Sequence, residues 1–356
     1  MKVILTGGGT GGSVSPLLAI AEEIKKNYPE AKFLFIGTRR GLPEKEMIKN
    51  YNFEFCQIFS GKLRRYFSWQ NFLDIIRLKI GFWQSLFILR NFKPDLIIGA
   101  GGYVSVPVVL AGWFLKIPSI IHQQDIIPSL TNKILAPFAK KITVSFEVSL
   151  NDFPKNKTVL TGQPMRKFIL NGDRKRAIQR FNLEENLPTL LVLGGGTGAL
   201  FLNNLIWKIL PELTKFSQII HLTGKGKSKI LNFKSQIPNY HLYEFLTEEM
   251  ADAYAVADLV ISRAGINVLS ELSVLGKPAI IIPIPDSHQE ANAKYFAEKN
   301  AVVVLNQKKL DEEKLLKEIK FLIENKDLRE KLSKNIKKIM PPKGEEKIVN
   351  EILNLL

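Results

Sequence analysis

Two nearly identical glycine-rich turns follow short apolar runs in this chain of 356 residues. The first reads GGGTGG at residues 7–12, the second reads GGGTGA at residues 194–199, and a further turn, GAGGYVSVP, spans residues 99–107. Glycines let the backbone approach a phosphate closely, and the free amides at a helix start bind anions. The spacing therefore predicts phosphorylated ligands, although such a repeat is also typical of any tight turn from strand to helix.

The spacing G-x-G-x-x-G/A is also that of a dinucleotide-binding turn, so a nicotinamide enzyme is one alternative. Such a site needs an acidic residue about 20 residues further on, at the end of the next strand, to bind the ribose hydroxyls. In the first half that strand is followed by Arg39 and Arg40, and in the second half by the sequence TGK at residues 223–225. Because both acids are missing, we expect no dinucleotide cofactor.

Short apolar runs alternate with helical patterns, which predicts parallel sheets covered by helices on both faces. The expected strands are residues 3–5, 32–36, 95–98, 118–121 and 142–145 in the first half, and 190–193, 218–222, 258–261 and 279–284 in the second. The fold class is therefore α/β, with two doubly wound, Rossmann-like domains that face a cleft. We place the first domain at residues 1–163 plus a returning helix at 342–356, and the second at 164–341.

Composition excludes several classes of protein. A single cysteine, Cys56, argues against a disulfide framework and a cysteine-rich metal site. No signal peptide is expected, and no stretch reaches the roughly 18 apolar residues of a membrane span, which predicts a cytoplasmic protein. The net charge of +16 and the pI near 9.6 indicate an anionic partner, such as a membrane surface, a nucleic acid or phosphorylated substrates.

Further motifs come in a definite order. They are HQQDIIPSLTN at residues 122–132, TGQPMR at 161–166, SRAGINVLSE at 262–271 and DSHQEANA at 286–293. Together with the glycine turns, this series resembles the MurG family of bacterial peptidoglycan glycosyltransferases, from the first glycines to the region of Asn300. The resemblance implies a GT-B fold and an inverting transfer of N-acetylglucosamine from UDP-N-acetylglucosamine to undecaprenyl-pyrophosphoryl-N-acetylmuramyl-pentapeptide. No cofactor or metal is expected, since D-x-D and H-E-x-x-H motifs are absent from the sequence.

The resemblance also implies which residues contact the sugar-nucleotide donor. They are Thr10, Gly11, Gly12, Asp125, Arg166, Gly196, Leu246, Ile266, Asn267, Val268, Leu269, Ser270, Glu271 and Gln289. We expect Arg166 and the amides after Gly265 to hold the diphosphate, whose charge grows as UDP departs. Glu271 is expected to accept both ribose hydroxyls, and Gln289 to bridge sugar hydroxyls. The alternative for each of these three side chains is an ordinary solvated position on a helix or loop.

The catalytic base is the point at which the chain departs from the family. The family's histidine after the first glycine turn is Ser13 here, and its H-E-Q-N motif is His122-Gln123-Gln124-Asp125. Our hypothesis is that Asp125 or His122 takes the proton of the attacking hydroxyl. The same substitutions are compatible with a non-catalytic sugar-nucleotide-binding relative, or with a transferase of weak activity or different acceptor.

Residues 62–93 combine basic and aromatic side chains along one helical stretch, with seven Lys or Arg residues and one Asp. Phe82, Trp83 and Phe87 are its expected membrane contacts. Such a stretch is typical of a helix lying on anionic lipid, which predicts a peripheral protein on the cytoplasmic face of the cell membrane. The alternative is an amphipathic helix with its aromatics in the core. No nucleic-acid partner is expected, because the aromatics lie among aliphatic residues and no reader module is present.

Overall fold

The computed structural model describes residues 1–61, 69–194, 198–227 and 237–355, without the side chains of residues 70 and 71. The chain divides into two compact units, residues 1–166 with 341–356 and residues 167–340. Each unit contains one parallel sheet with helices packed against it. The expected α/β class with two doubly wound sheets is therefore confirmed.

The first unit has a sheet of seven strands in the order β3-β2-β1-β4-β5-β6-β7. The strands are β1 (Lys2–Thr6), β2 (Lys32–Thr38), β3 (Glu54–Ile58), β4 (Leu96–Gly99), β5 (Ser119–Gln123), β6 (Lys141–Val144) and β7 (Thr158–Leu160). The helices are α1 (Gly11–Asn27), α2 (Glu44–Ile48), α3 (Trp69–Phe92), α4 (Ser105–Phe114), α5 (Leu130–Leu135) and, from the C-terminal segment, α13 (Gly344–Leu353). All strand pairs are parallel, so the turns at their carboxyl ends share one edge.

Successive side chains of β1 pack on opposite faces of the first sheet. Val3 and Leu5 pack in a layer with α1 and α13, whereas Ile4 packs in the opposite layer with α3 and α4. The last helix contributes Ile348 and Ile352 to the α1 layer, and both side chains are fully buried. The central strand is thus apolar on both faces, as expected for a strand inside a parallel sheet.

The second unit has a sheet of six strands in the order β10-β9-β8-β11-β12-β13. The strands are β8 (Thr189–Leu193), β9 (Gln218–Leu222), β10 (Tyr240–Tyr243), β11 (Leu259–Ser262), β12 (Ala279–Ile281) and β13 (Val303–Val304). The helices are α6 (Arg174–Phe181), α7 (Leu200–Leu213), α8 (Met250–Val256), α9 (Ile266–Leu275), α10 (His288–Glu298), α11 (Glu312–Glu324) and α12 (Lys326–Ile336). One core layer joins the central strands to α7 and α11 through Val192, Ile206 and Ile319.

Of the thirteen strands in the described ranges, nine coincide with the predicted apolar runs and four do not. The unpredicted strands are β3, β7, β10 and β13, and each of them lies at an edge of its sheet. Their residues are mostly only partly buried. An edge strand is covered less completely than a central one, so it lacks the continuous apolar run that signals a buried strand.

Candidate functional site

Two glycine turns meet at the carboxyl edge of the first sheet, because β1 and β4 are neighbours. A Cβ atom on Gly102 would lie 2.5 Å from Gly8 O, and one on Gly9 would lie 3.2 Å from Tyr103 Cε1. Gly9 and Gly102 also have φ angles of +86° and +80°, which side chains rarely tolerate. The two turns therefore pack so closely that glycine is required at both positions.

A buried carboxyl group fills the inner side of the first turn, and it is not among the residues predicted from the sequence. Glu44 is fully buried, and its Oε1 atom accepts hydrogen bonds from Gly9 N at 3.0 Å and from Thr38 Oγ1 at 2.8 Å. Its Oε2 atom is also buried and has no hydrogen-bond partner within the described ranges. The protein itself therefore engages the amide of Gly9. The only signal in the sequence is an acid six residues beyond the end of β2.

Three residues predicted to contact the sugar-nucleotide donor lie on the more exposed side of the first turn. Thr10 is exposed, and Gly11 and Gly12 are partly exposed at the start of α1. Ser13, which replaces the family's histidine, is buried, and its Oγ atom donates to Thr10 O at 3.1 Å. Its hydroxyl thus supports the turn from within, and an aliphatic hydroxyl does not replace a basic imidazole.

His122 is buried in a polar network near the end of β5. Its Nδ1 atom lies 2.9 Å from Thr143 Oγ1, and its Nε2 atom lies 2.9 Å from Gln163 Oε1 and 3.2 Å from Ser145 Oγ. Since an amide oxygen only accepts, we assign the proton to Nε2 and the lone pair facing Thr143 to Nδ1. Burial lowers the pKa of His122 to about 4, so the ring is neutral at pH 7. Both nitrogens have protein partners, and this geometry does not favour His122 as the base.

Asp125 is partly exposed in the turn after β5. Gln123 shapes that turn, because its Nε2 atom donates to Asp125 O at 2.7 Å and to Ile127 O at 3.1 Å. Its Oε1 atom accepts from Asn132 Nδ2 at 2.8 Å. The acid that the family carries at the position of Gln123 could not donate either of the first two bonds when ionised. The substitution therefore has a structural role, which is to hold the turn that carries Asp125.

Arg166 lies beside Tyr51 in the first unit. Burial raises the pKa of Tyr51 to about 12, Glu22 adds to the rise, and Arg166 acts against it through its charge and a hydrogen bond. The Tyr51 hydroxyl donates to Glu22 Oε1 at 2.6 Å. Glu22 lies 11 residues beyond the first residue of α1, which is about 16 Å along the helix axis. The first unit therefore does not bring Arg166 to the glycine turn, and its diphosphate contact stays a prediction.

In the second unit, the turn after β11 leads directly into α9. The side chains of Ile266, Leu269 and Ser270 are buried, and those of Asn267, Val268 and Glu271 are partly exposed. Ser270 Oγ donates to Ile266 O at 2.7 Å, within the helix. Ile266 lies at the start of α9, where helix amides lack intrahelical acceptors, and can meet a ligand through its backbone. The amide of Leu269 already donates to Gly265 O at 3.0 Å.

Glu271 is held from beneath by a tyrosine that the sequence did not single out. Tyr254 of α8 is fully buried and donates its hydroxyl to Glu271 Oε2 at 2.7 Å. Burial, and secondly the charge of Glu271, raise the pKa of Tyr254 well above its ordinary value, so the hydroxyl keeps its proton. A hydrogen bond to a charged acceptor restricts the rotamer of the carboxylate. Glu271 is therefore oriented before any ligand arrives.

A buried cation lies at the end of β11. Arg263 is only 7% exposed, and its Nη1 atom donates to Ile282 O at 2.9 Å and to Gln307 Oε1 at 2.6 Å. Its Nε atom is buried without a hydrogen-bond partner in the part of the chain that the structure describes. Burial lowers the pKa of Arg263. The sequence signal, missed in the prediction, is an arginine placed between a buried strand and a glycine turn.

The remaining predicted donor contacts follow other strands of the second sheet. Leu246 is buried after β10, and Gln289 is partly exposed in α10, with its Oε1 atom accepting from Ile284 N at 3.2 Å. Gly196 lies outside the described residues. The strands that precede these residues and α9 are parallel, so their carboxyl ends share one edge. Among the described residues, no group of three His, Cys, Asp or Glu side chains could hold a metal ion.

Helix α3 exposes an apolar face. Its exposed residues at helical spacing are Trp69, Phe72, Ile76, Ile80, Trp83 and Phe87, which we call the α3 face. Trp83 is 68% exposed and Phe87 is 69% exposed, as expected for contacts with an outside partner. Phe82 differs, because it is half-buried against the core with its ring centroid 6.2 Å from that of Phe114. The prediction for Phe82 as an outward contact is therefore less well supported than that for its neighbour.

Charged residues accompany the α3 face. Arg77, Lys79, Arg90 and Lys93 are exposed on or just after the same helix. The first basic residues of the predicted stretch, at positions 62–65, lie outside the described residues. Nowhere in the described ranges is a helix both long enough and apolar enough to cross a membrane.

Two domains that each carry a parallel sheet with a glycine turn at its carboxyl edge are typical of the GT-B class of nucleotide-sugar-dependent glycosyltransferases. Comparison with family models agrees with this class. The N-terminal domain model of glycosyltransferase family 28 matches residues 3–144, and the C-terminal domain model matches residues 189–348.

Relatives extend the match over both domains. The chain is 40% identical over 333 residues to the UDP-N-acetylglucosamine--N-acetylmuramyl-(pentapeptide) pyrophosphoryl-undecaprenol N-acetylglucosamine transferase of Clostridium perfringens, covering 92% of this chain and 91% of the relative. It is 37% identical to the Clostridium botulinum protein of the same name, covering 92% of both. The crystal structure of Acinetobacter baumannii MurG superimposes with a TM-score of 0.74 at 25% identity, covering 99% of each chain. The chain therefore belongs to glycosyltransferase family 28 and, within it, to the MurG family.

Proposed function

We propose that this protein transfers N-acetylglucosamine from UDP-N-acetylglucosamine to the muramyl sugar of undecaprenyl-pyrophosphoryl-N-acetylmuramyl-pentapeptide, a step of peptidoglycan synthesis. The observation that carries the proposal is the 40% identity across both domains to a transferase named for this reaction. Asp125 follows β5, and Glu271 lies in the helix that follows β11, on the side of each sheet where open parallel sheets bind their ligands.

The donor is assigned to the second predicted domain, residues 164–341. The amides that open α9 take the diphosphate together with Arg166, and Glu271 takes the ribose hydroxyls. Leu246, Gly196 and Gln289 complete the set. The preset carboxylate of Glu271 and the buried charge of Arg263 support this assignment, because both are oriented in advance at one edge.

Asp125 is the proposed base. The acceptor hydroxyl attacks the anomeric carbon, the bond from that carbon to the diphosphate oxygen breaks, and the hydroxyl proton passes to Asp125. A direct displacement of this kind inverts the anomeric configuration. Asp125 is favoured over His122 because His122 is buried with both ring nitrogens engaged by protein partners, whereas Asp125 is partly exposed.

The first unit is assigned to the acceptor and to the cytoplasmic face of the cell membrane, as a peripheral protein. The α3 face supplies apolar contacts, with Trp83 and Phe87 foremost, and the basic residues around it attract anionic lipid. The first 163 residues hold 21 basic and 11 acidic side chains, so that +10 of the +16 net charge lies there. We assign this charge to lipid and phosphorylated ligands and propose no nucleic-acid partner.

The test is UDP release by the purified protein with a panel of UDP-sugars, in the presence and absence of the lipid-linked acceptor. Release should require both UDP-N-acetylglucosamine and acceptor. D125N should lower kcat by at least about 100-fold, the typical contribution of a general base. D327N, which changes an exposed aspartate at the start of α12, should leave kcat unchanged.

Three outcomes would contradict parts of the proposal. Donor binding without UDP release would indicate a non-catalytic relative. UDP release only with a different acceptor would contradict the proposed acceptor substrate. Full turnover by D125N would leave the transferase activity in place and remove Asp125 as its base.

A further inference from the structure

The acceptor named above carries a pyrophosphate, and two arginines beside the first glycine turn have no role so far. Arg39 and Arg40 directly follow β2, which is the neighbour of β1 in the sheet. They therefore lie at the same carboxyl edge as the turns after β1 and β4. This is also the position at which a dinucleotide-binding protein places an acid.

The first glycine turn does not offer all of its amides to an anion in this protein. A typical phosphate-binding turn offers its amides to the ligand. Here the amide of Gly9 already donates to Glu44 Oε1 at 3.0 Å, and the carboxyl group lies directly behind Gly8. A pyrophosphate at this edge therefore needs its neutralising charge from somewhere other than the inner amides of the turn.

Arg39 and Arg40 can supply that charge. Both are exposed, and neither forms a salt bridge with any residue in the described ranges. The Arg39 guanidinium lies 4.4 Å from the ring centroid of Phe59, a stacking contact that restricts its motion. Arginine is well suited to phosphate oxygens, because its planar group can donate two parallel hydrogen bonds.

Arg40 is electrostatically linked to the turn itself. Burial raises the pKa of Tyr103, Glu44 adds to the rise, and the charge of Arg40 acts against it. The ring of Tyr103 in turn lies against Gly9. Arg40, Tyr103 and the first glycine turn are therefore parts of one cluster at this edge.

We propose that Arg39 and Arg40 form a subsite for the pyrophosphate group of the lipid-linked acceptor. This inference rests on the proposed function, which supplies the acceptor. It assigns charge neutralisation at the first edge to these two side chains instead of to the amides of the glycine turn.

Steady-state kinetics with a short-chain, detergent-soluble analogue of the acceptor tests the subsite. R39Q and R40Q should each raise KM for the acceptor about tenfold, as expected for the loss of one charge-assisted contact, and should change KM for UDP-N-acetylglucosamine less than twofold. R40K, which keeps the charge but not the fork of donors, should recover part of the loss. K32Q is the matched control, because Lys32 is exposed at the opposite end of β2 and its loss changes the net charge equally.

Binding of inorganic pyrophosphate, measured calorimetrically with the nucleotide site saturated by UDP, tests the subsite without turnover. The R39Q/R40Q double variant should bind pyrophosphate at least tenfold more weakly than wild type and K32Q. The subsite is refuted if the double variant matches K32Q in pyrophosphate affinity, or if an active double variant changes only KM for the donor. Absence of turnover in the wild-type protein would instead refute the proposed function, and the pyrophosphate titration would still decide on the subsite.

Discussion

Replacement of Trp83 by alanine should weaken membrane binding without unfolding the protein. Trp83 is 68% exposed on the α3 face, so about 170 Å² of a side chain of roughly 250 Å² meets water. At about 25 cal/mol per Å², complete transfer of that area into an apolar phase contributes about 4 kcal/mol. A helix lying in the interface immerses about half of it, which gives about 2 kcal/mol, or about 30-fold in the partition coefficient.

Flotation with anionic vesicles measures this coefficient directly. F321A is the control, because Phe321 is a 50% exposed aromatic on α11 of the second unit. W83A should partition about 30-fold less than wild type, F321A should partition like wild type, and both should keep the wild-type melting temperature. F82A should behave differently and lower the melting temperature, because the Phe82 ring packs against the core and Phe114. Equal flotation of W83A and F321A would refute the assignment of the α3 face to lipid.

Four further perturbations follow from single contacts. Y254F removes the 2.7 Å bond to Glu271 and should weaken UDP binding about tenfold by calorimetry; unchanged affinity would separate Glu271 from the ribose. The Q123E side chain cannot donate hydrogen bonds to the turn that carries Asp125, so this variant should lower kcat severalfold. A normal kcat would show that these hydrogen bonds are not needed for catalysis. D252N removes the buried charge that pairs with two half-exposed arginines and should lower the free energy of unfolding in urea by about 2 kcal/mol, as expected for weakened hydrogen bonds to a charged group. Burial lowers the pKa of His221 from 6.5 to about 3, so below pH 6.5 the unfolded state binds a proton that the folded state does not. The free energy of unfolding should therefore fall as the pH drops below 6.5, by at most about 1.4 kcal/mol per pH unit. An H221N variant that is as acid-sensitive as wild type would contradict this.

The sequence predicts the centre of each sheet better than its edges. A central strand such as β8, TLLVL, is buried along its whole length and reads as a continuous apolar run. Edge strands such as β3, EFCQI, and β10, YHLY, mix polar and apolar residues, because one side of each strand has no neighbour among the strands that the structure describes. Their existence depends on pairing with β2 and β9, and such long-range pairing leaves little local pattern.

The candidate site divides in the same way. The motifs that contain Asp125 and Glu271 follow predicted strands, and parallel sheets bind their ligands at the carboxyl edge of the strands, so these two residues could be predicted from the sequence. The residues that orient the site could not be placed. Glu44 meets Gly9 across 35 residues of sequence, and Arg263 meets Gln307 across 44. No local periodicity records contacts of that range, and a buried charged side chain contradicts the usual preference for burying apolar ones.

The repeated glycine turn has the same geometric cause in both units and different chemical surroundings. In the second unit a Cβ atom on Gly194 would lie 2.5 Å from Ala199 N, just as a Cβ atom on Gly7 of the first turn would lie 2.8 Å from Ser13 O. Packing alone therefore requires glycines at both positions, so the shared motif does not establish a shared ligand. The buried side chains nearby differ in charge, because the first turn has the carboxyl group of Glu44 behind it and the second sheet has the buried Arg263 at its edge. An anion is thus favoured directly at the second edge, whereas at the first edge it depends on cations that lie outside the turn.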